Sequence, residues 1–413
     1  MGNCDNIKEK GGIEKDILKN ENVKLSDFKK LYPIGKGGFG RVWKVLHKKT
    51  KKIYAMKEML KVKIFEKKSN KNVATELKIL TLLKNSKFIS GIKFAFQTYE
   101  SLYIITDYFP GGDLRYRIKK SKKNQFSEKE VKFLICNILI ALNTLKENNI
   151  IHKDLKPENL IFDKKGYLHL CDFGLAKILP EHNLSEKKIY EKNKSGTIGY
   201  MAPEVLLHKS QSFQVDYFAL GIITCELIFG KHPFYSGTKT KEDIKSIMVR
   251  KEINFEVNDL PNNTLFDNPK LFCYFVNKLL NRKKELRLGS KGINEIIEHP
   301  WLQEFDWGKL LSGEMSSPFE TEIYSENYDF DYANQKDEVD FNQYYKDLEK
   351  INKNKIFKDF YYNIENEELI EKINMTQNDC STHKNTFISF NRKKTTQSMI
   401  SRNSSTKESY NCS

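Results

Sequence analysis

The sequence predicts an α+β fold in two unequal lobes, strand-rich first and helix-rich second. Three observations carry that reading. Short strand-like runs crowd residues 28–107. Helical spacing dominates from Glu128 onward. A glycine-rich turn has strands on both sides, instead of leading from a strand into a helix.

Residues 1–27 are polar and are expected to form a flexible leader. Residues 31–34 and 41–46 read as the strands flanking the glycine turn, and 51–57 as a third strand that ends on a lysine. Over residues 72–83, Val73, Leu77, Leu80 and Leu83 recur at helical spacing, which leaves Glu76 to point elsewhere. Residues 102–108 are a short apolar run suited to a buried strand, and 128–148 are helical in pattern. Together these make one compact unit, 28–305, whose smaller lobe is 28–107 and larger lobe 108–305. Residues 306–363 turn acidic and aromatic with little periodicity. Residues 364–413, rich in Asn, Ser, Thr and Lys, are expected to be mostly disordered. No internal repeat of fixed period is present.

Composition narrows the function classes. The chain of 413 residues is 39% hydrophobic and 30% charged, as expected of a soluble globular unit with polar extensions. No apolar run approaches the roughly 20 residues that span a bilayer, and residues 1–10 are too polar for a secretory signal. Seven cysteines without a Cys-x-x-Cys pair argue against a disulfide framework or structural zinc, and for reducing cytosol. The net charge of +16 is uneven: residues 1–100 hold 24 Lys/Arg against 10 Asp/Glu, whereas 319–349 hold 10 acids against Lys336 and Lys346. Zinc-finger, RNP and basic-zipper patterns are absent, so no nucleic-acid partner is expected. An anionic membrane or an acidic partner, including the chain's own acidic segment, suits the basic part better.

The chemistry lies in short motifs. Gly35-Lys36-Gly37-Gly38-Phe39-Gly40-Arg41-Val42 matches G-x-G-x-x-G-x-V, which alone fits a plain hairpin or a dinucleotide site. Ala55-Met56-Lys57 places an ammonium at a strand end, with Glu76 on a helix 19 residues later as its natural carboxylate partner. His152-Lys153-Asp154-Leu155-Lys156-Pro157-Glu158-Asn159, Asp172-Phe173-Gly174 and Ala202-Pro203-Glu204 follow. Singly, each is as ordinary as a turn or a solvated lysine. In this order, the set resembles the eukaryotic protein kinases over residues 28–305.

The resemblance implies a bilobal protein kinase fold and transfer of the ATP γ-phosphate to Ser or Thr with Mg²⁺. It implies Asp154 as the carboxylate that orients the acceptor hydroxyl and takes its proton. Lys156 would neutralise charge on the transferred group, Lys57 would reach the α- and β-phosphates, and Thr197 would bond the Asp154–Lys156 pair. Asn159 and Asp172 are the implied metal ligands, both hard oxygen donors. The nucleotide would lie under the loop from Ile34 through Gly35, Lys36, Gly37, Gly38, Phe39 and Gly40 to Val42. Ala55, Glu76 and Leu160 would complete its site. Thr106 would be a small gatekeeper, the segment from Asp107 through Phe109 the adenine hinge, and Asp113 the ribose contact. Cys171 would face the same pocket, and Glu204 would pair structurally with Arg287. A nucleotide-binding scaffold without transfer is the alternative.

Further features resemble the AGC group. Asp306-Trp307 and Ser317-Pro318-Phe319 look like the start of its C-terminal tail, residues 327–332 like the tail segment that touches adenine, and Phe357-Lys358-Asp359-Phe360-Tyr361-Tyr362 like its hydrophobic motif. Asp113, Glu158 and Glu226 match positions along the peptide cleft, implying protein substrates with Arg or Lys upstream of the acceptor. The tail run Arg392-Lys393-Lys394-Thr395-Thr396 has that character. Two departures stand out. Lys153 replaces the usual Arg, and residues 192–195 lack Ser or Thr three positions before Gly196, so dependence on loop phosphorylation should be weak. Ser185, Tyr190 and Ser195 are alternative sites, while Tyr361 occupies a position that is usually Ser or Thr. Met1-Gly2-Asn3-Cys4 fits acylation at Gly2 and Cys4, which would place the chain, expected to act as a monomer, on the cytoplasmic face of a membrane. Leader, Gly111-Gly112-Asp113-Leu114-Arg115-Tyr116 and tail together resemble the myristoylated YANK branch.

Overall fold

The computed structural model describes residues 23–121, 125–180, 195–235, 240–261, 266–319 and 341–364. Gly2, Cys4, Ser185, Tyr190, residues 192–194, 327–332 and 392–396 lie outside the described residues.

The small lobe is an antiparallel sheet of β1 (Phe28–Lys36), β2 (Gly40–His47), β3 (Ile53–Leu60), β4 (Ile92–Gln97) and β5 (Ser101–Asp107), in the order β1-β2-β3-β5-β4. Side chains alternate across it. Phe28, Val45, Met56, Phe94 and Ile105 pack on one face. The register sets Val42 opposite Lys57, Lys57 opposite Ile104 and Ala55 opposite Thr106. Those five therefore share the other face, toward the larger lobe. The β1–β2 turn needs Gly40, because a Cβ there would lie 2.0 Å from the Glu58 carbonyl oxygen.

After β3 come α1 (Lys61–Glu66) and α2 (Asn70–Leu82). The latter begins two residues before the expected 72–83 segment and buries Val73, Glu76, Ile79 and Leu80. Leu77 is only partly buried. Glu76 is thus on the packed face.

The larger lobe contains α3 (Leu114–Lys120), α4 (Glu128–Glu147), α5 (Pro203–Leu206), α6 (Gln214–Phe229), α7 (Lys241–Arg250), α8 (Pro269–Leu279), α9 (Asn294–Ile297) and α10 (Trp307–Ser312). Ser127 and Glu130 form a capping box that fixes the start of α4. Every residue of α6 from Val215 to Ile228 is buried, which is why its sequence is apolar on all sides. Two small ladders, β6 (Ile150–Ile151) with β9 (Lys177–Ile178) and β7 (Leu160–Phe162) with β8 (Leu168–Leu170), frame the loops that carry Asp154 and Asp172.

The tail returns to both lobes. Phe319 packs against Phe126, Phe133 and Phe162 of the larger lobe. Further on, α11 (Phe341–Lys353) buries Leu348 and Ile351, and Asn352 accepts from the buried Lys61 ammonium of α1 at 2.8 Å. Phe357 and Phe360 are buried, with the Phe357 carbonyl held by Gln97, and Tyr361 faces solvent. β10 (Tyr362–Asn363) then adds a sixth strand beside β4.

Candidate active site

Between the lobes lies a cleft of about 1050 Å³. Its upper wall is the shared face of the sheet, with Ile34, Gly35, Lys36, Gly37, Gly38, Val42, Ala55 and Lys57. Thr106, Asp107 and Phe109 line the connection, and Asp113, Lys156, Asn159, Asp172 and Thr197 the lower side. Three expected nucleotide residues do not line it. Gly40 is committed to the β2–β3 contact. Phe39 turns to Lys67, whose ammonium lies 5.4 Å from the ring centre and donates to the Gly38 carbonyl at 2.6 Å. Leu160 is buried in the core. Strand alternation in β7 gives the cleft to its neighbour Ile161 instead. Tyr108, inside the expected hinge, lines the cleft as well, and Ser90 and Tyr116 do so without having been anticipated.

Lys57 organises the inner end. Its ammonium lies 2.6 Å from Glu76 Oε1 and 2.8 Å from Asp172 Oδ1. Burial works against the charge, but the Asp172 and Glu76 carboxylates outweigh it and raise the Lys57 pKa. The same ammonium, with burial opposing, pulls Asp172 down to about 2. Glu76 goes the other way: burial raises it more than Lys57 lowers it. Asp172 holds a left-handed φ of 60°, a strained conformation for a non-glycine residue. Cys171 lines the cleft, and burial pushes its thiol up, which disfavours the thiolate.

Asp154 sits at the outer end with both oxygens fixed. Oδ1 accepts from Thr197 N at 2.8 Å and Thr197 Oγ1 at 2.7 Å. Oδ2 accepts from Lys156 Nζ at 2.7 Å, and that ammonium also reaches Thr197 Oγ1 at 2.8 Å. Asn159 Nδ2 donates to the Asp154 carbonyl at 2.8 Å, which aims the amide. Behind the loop, the Asp216 carboxylate on α6 accepts from His152 N and Lys153 N at 2.8 and 2.9 Å. Those bonds hold Lys153 at a φ of 69°. The Lys153 ammonium donates to Ser195 Oγ at 2.7 Å. Away from the cleft, Glu204 and Arg287 form a buried two-point pair at 2.7 and 2.9 Å.

The side chains fit a nucleotide–magnesium complex. Once Asn159 has given its amide nitrogen to the loop, its carbonyl oxygen and the Asp172 carboxylate are the available donors. Two hard oxygens suit Mg²⁺, which takes its remaining ligands from phosphates and water.

The three carboxylates expected to receive a basic peptide are engaged within the chain. Asp113 Oδ1 caps α3 through Tyr116 N at 2.7 Å. Glu158 accepts from Arg115 Nε at 3.0 Å. Glu226 accepts from Arg115 Nη1 and Nη2 at 3.3 Å and from the Tyr200 hydroxyl at 2.6 Å.

This geometry, with a pinned carboxylate facing a lysine and a metal-ready pair, defines a phosphoryl-transfer type of site. Comparison with known protein families matches residues 28–302 to the protein kinase domain. The serine/threonine-protein kinase sck2 of Schizosaccharomyces pombe is 36% identical over 329 residues, covering 76% of this chain and 47% of that protein. A probable serine/threonine-protein kinase of Dictyostelium discoideum is 34% identical over 329 residues, covering 79% of this chain and 68% of its own. The serine/threonine-protein kinase sgk-1 of Caenorhabditis elegans is 38% identical over 313 residues, covering 75% of this chain and 64% of its own. The chain belongs to the protein kinase family and, within it, to the serine/threonine kinases of the AGC group. It spans about half the length of the fission-yeast relative.

Proposed function

We propose that the chain is an ATP- and Mg²⁺-dependent protein kinase that phosphorylates Ser and Thr of protein substrates. The observation that carries this is the double anchoring of Asp154 by Thr197 and Lys156, in the same cleft as the Lys57–Glu76–Asp172 cluster. When bound, Mg·ATP supplies the transferable phosphoryl group. Asp154 orients the acceptor hydroxyl and receives its proton. Lys156 offsets the charge that develops beside it, and Lys57 steadies the phosphates from above. Asn159 and Asp172 would hold the metal through oxygen. A scaffold without transfer would leave this complete set idle.

The expected taste for upstream Arg or Lys finds less support, because the carboxylates behind it are already in use. Anchoring through acylated Gly2 and Cys4 belongs to the proposal as its localisation, and the compact division at 28–305 as its domain plan.

Transfer from Mg·ATP to Ser/Thr peptides tests the activity, with Asp154→Ala and Asp172→Ala beside wild type. Each substitution should lower kcat by at least about 100-fold, the order expected for losing a positioned base or charge clamp. Equal rates in wild type and both variants would overturn the assignment.

A further inference from the structure

We propose that Arg115 is a specificity-determining residue: an internal guanidinium that occupies the acidic peptide subsite and removes selection for basic residues upstream of the acceptor. The inference deepens the kinase reading and rests on it.

Arg115 is the second residue of α3, directly after the Asp113 cap and Leu114. Its guanidinium spans Glu158 and Glu226 at 3.0–3.3 Å and touches the Tyr200 hydroxyl, which itself donates to Glu226. Three side chains from three distant parts of the chain thus close on one cation. Glu226 is almost fully buried and Arg115 about three-quarters buried, so the pair is shielded from the screening that makes exposed pairs weak. A guanidinium offers a planar fork of donors that can serve two carboxylates at once. That is the arrangement an incoming substrate arginine would seek.

The pocket belongs to the reaction cleft. Arg115 and Glu158 line it together with Lys156, Asn159 and Thr197. Glu158 follows Lys156 by two residues, so a peptide with its hydroxyl at Asp154 passes within reach. Charge at this end is balanced. Arg115, Lys119 and Lys120 line the cleft beside Asp113 and Glu158, with Glu226 behind. Three cations meet three carboxylates. A substrate arginine would have to displace Arg115 from two carboxylates and a phenol, then leave that guanidinium to find other partners. Neutral or acidic flanking residues carry no such cost, and Lys119 and Lys120 are placed to favour the acidic ones.

The experiment compares three Ser peptides that differ only at the second and third residues before the acceptor, which are Arg, Ala or Glu. Values of kcat/KM are measured for full-length wild type, Arg115→Ala, Arg115→Gln and Arg115→Ala/Glu226→Gln. Wild type should treat the Arg and Ala peptides alike within about threefold, and Arg115→Ala should prefer the Arg peptide at least about tenfold, as expected when a charged pocket opens. The double variant should fall back toward wild type. Each ratio is taken within one preparation, so partial unfolding cancels. Arg115→Gln keeps polar contacts in the pocket and should give the same direction of change. A wild-type preference for Arg of tenfold or more, or ratios that do not move on replacing Arg115, would overturn the assignment while leaving the kinase reading intact. Absence of transfer to every peptide by wild type would instead overturn the kinase reading, and this inference with it.

Discussion

Replacing Arg287 by methionine removes the cation from the most enclosed ion pair described in the molecule. The side chain is fully buried, donates to both Glu204 oxygens at 2.7 and 2.9 Å, and also serves the Asn281 and Gln214 carbonyls at 2.9 and 2.7 Å. Arg287→Met keeps most of the volume but strands a nearly buried carboxylate and two carbonyls. Breaking a buried pair from one side costs about 3–5 kcal/mol. At roughly 2 °C per kcal/mol for a unit of this size, the thermal midpoint should fall by about 6–10 °C. Scanning calorimetry of Arg287→Met, Glu204→Gln and the double variant would measure it. The double variant should lose less than the sum of the two single losses, because the second change relieves the charge the first one stranded. A drop of under ~2 °C in the single variant, or strictly additive losses, would refute the argument that an unpaired buried charge is what the structure avoids.

The remaining predictions concern titration and anchoring. Burial raises Asp113 to about 6, against hydrogen bonding from Tyr116 N. With the folded pKa raised, the native state holds a proton that the unfolded chain gives up near pH 4, so wild-type stability falls as pH rises from about 4 through 6. Asp113→Asn escapes this cost, and its thermal midpoint relative to wild type should climb over that window; a constant difference would contradict the burial argument. Intact-mass measurement of the chain made in eukaryotic cells should show one myristoyl on Gly2, lost in Gly2→Ala, and an unmodified N-terminus would end the anchoring proposal.

Much of the fold was readable because its chemistry is local. The glycine turn, Lys57, Asp154 and the Asp172-Phe173-Gly174 run announce themselves by composition, and the strand register brings them to one cleft. What escaped was set by single-residue phase or by distance. Leu160 and Ile161 are equally apolar, and only the pleat of β7 decides which one faces the cleft. In the segment now seen as α11, Phe341, Tyr344, Leu348 and Ile351 do recur at helical spacing, but the stretch is polar overall and its acidic, aromatic composition masked the period. Arg115 read as part of a family pattern, and nothing nearby in sequence shows that Glu226, 111 residues on, would meet it. The acidic subsite was therefore legible, but its occupant was not.

The pairing of Tyr362 with Ala95 gives the sheet a border it would otherwise lack. An unpaired outer strand offers its N–H and C=O groups to any passing chain and invites sticking. Here β10 takes those positions, while Phe319, Leu348, Ile351, Phe357 and Phe360 cover apolar ground that the catalytic unit leaves bare. The match to the protein kinase domain closes at residue 302, but the compact unit of the chain runs to Ile364. The tail is to that extent a solubility element, and trimming the chain to its family boundary would turn a finished surface into an adhesive one.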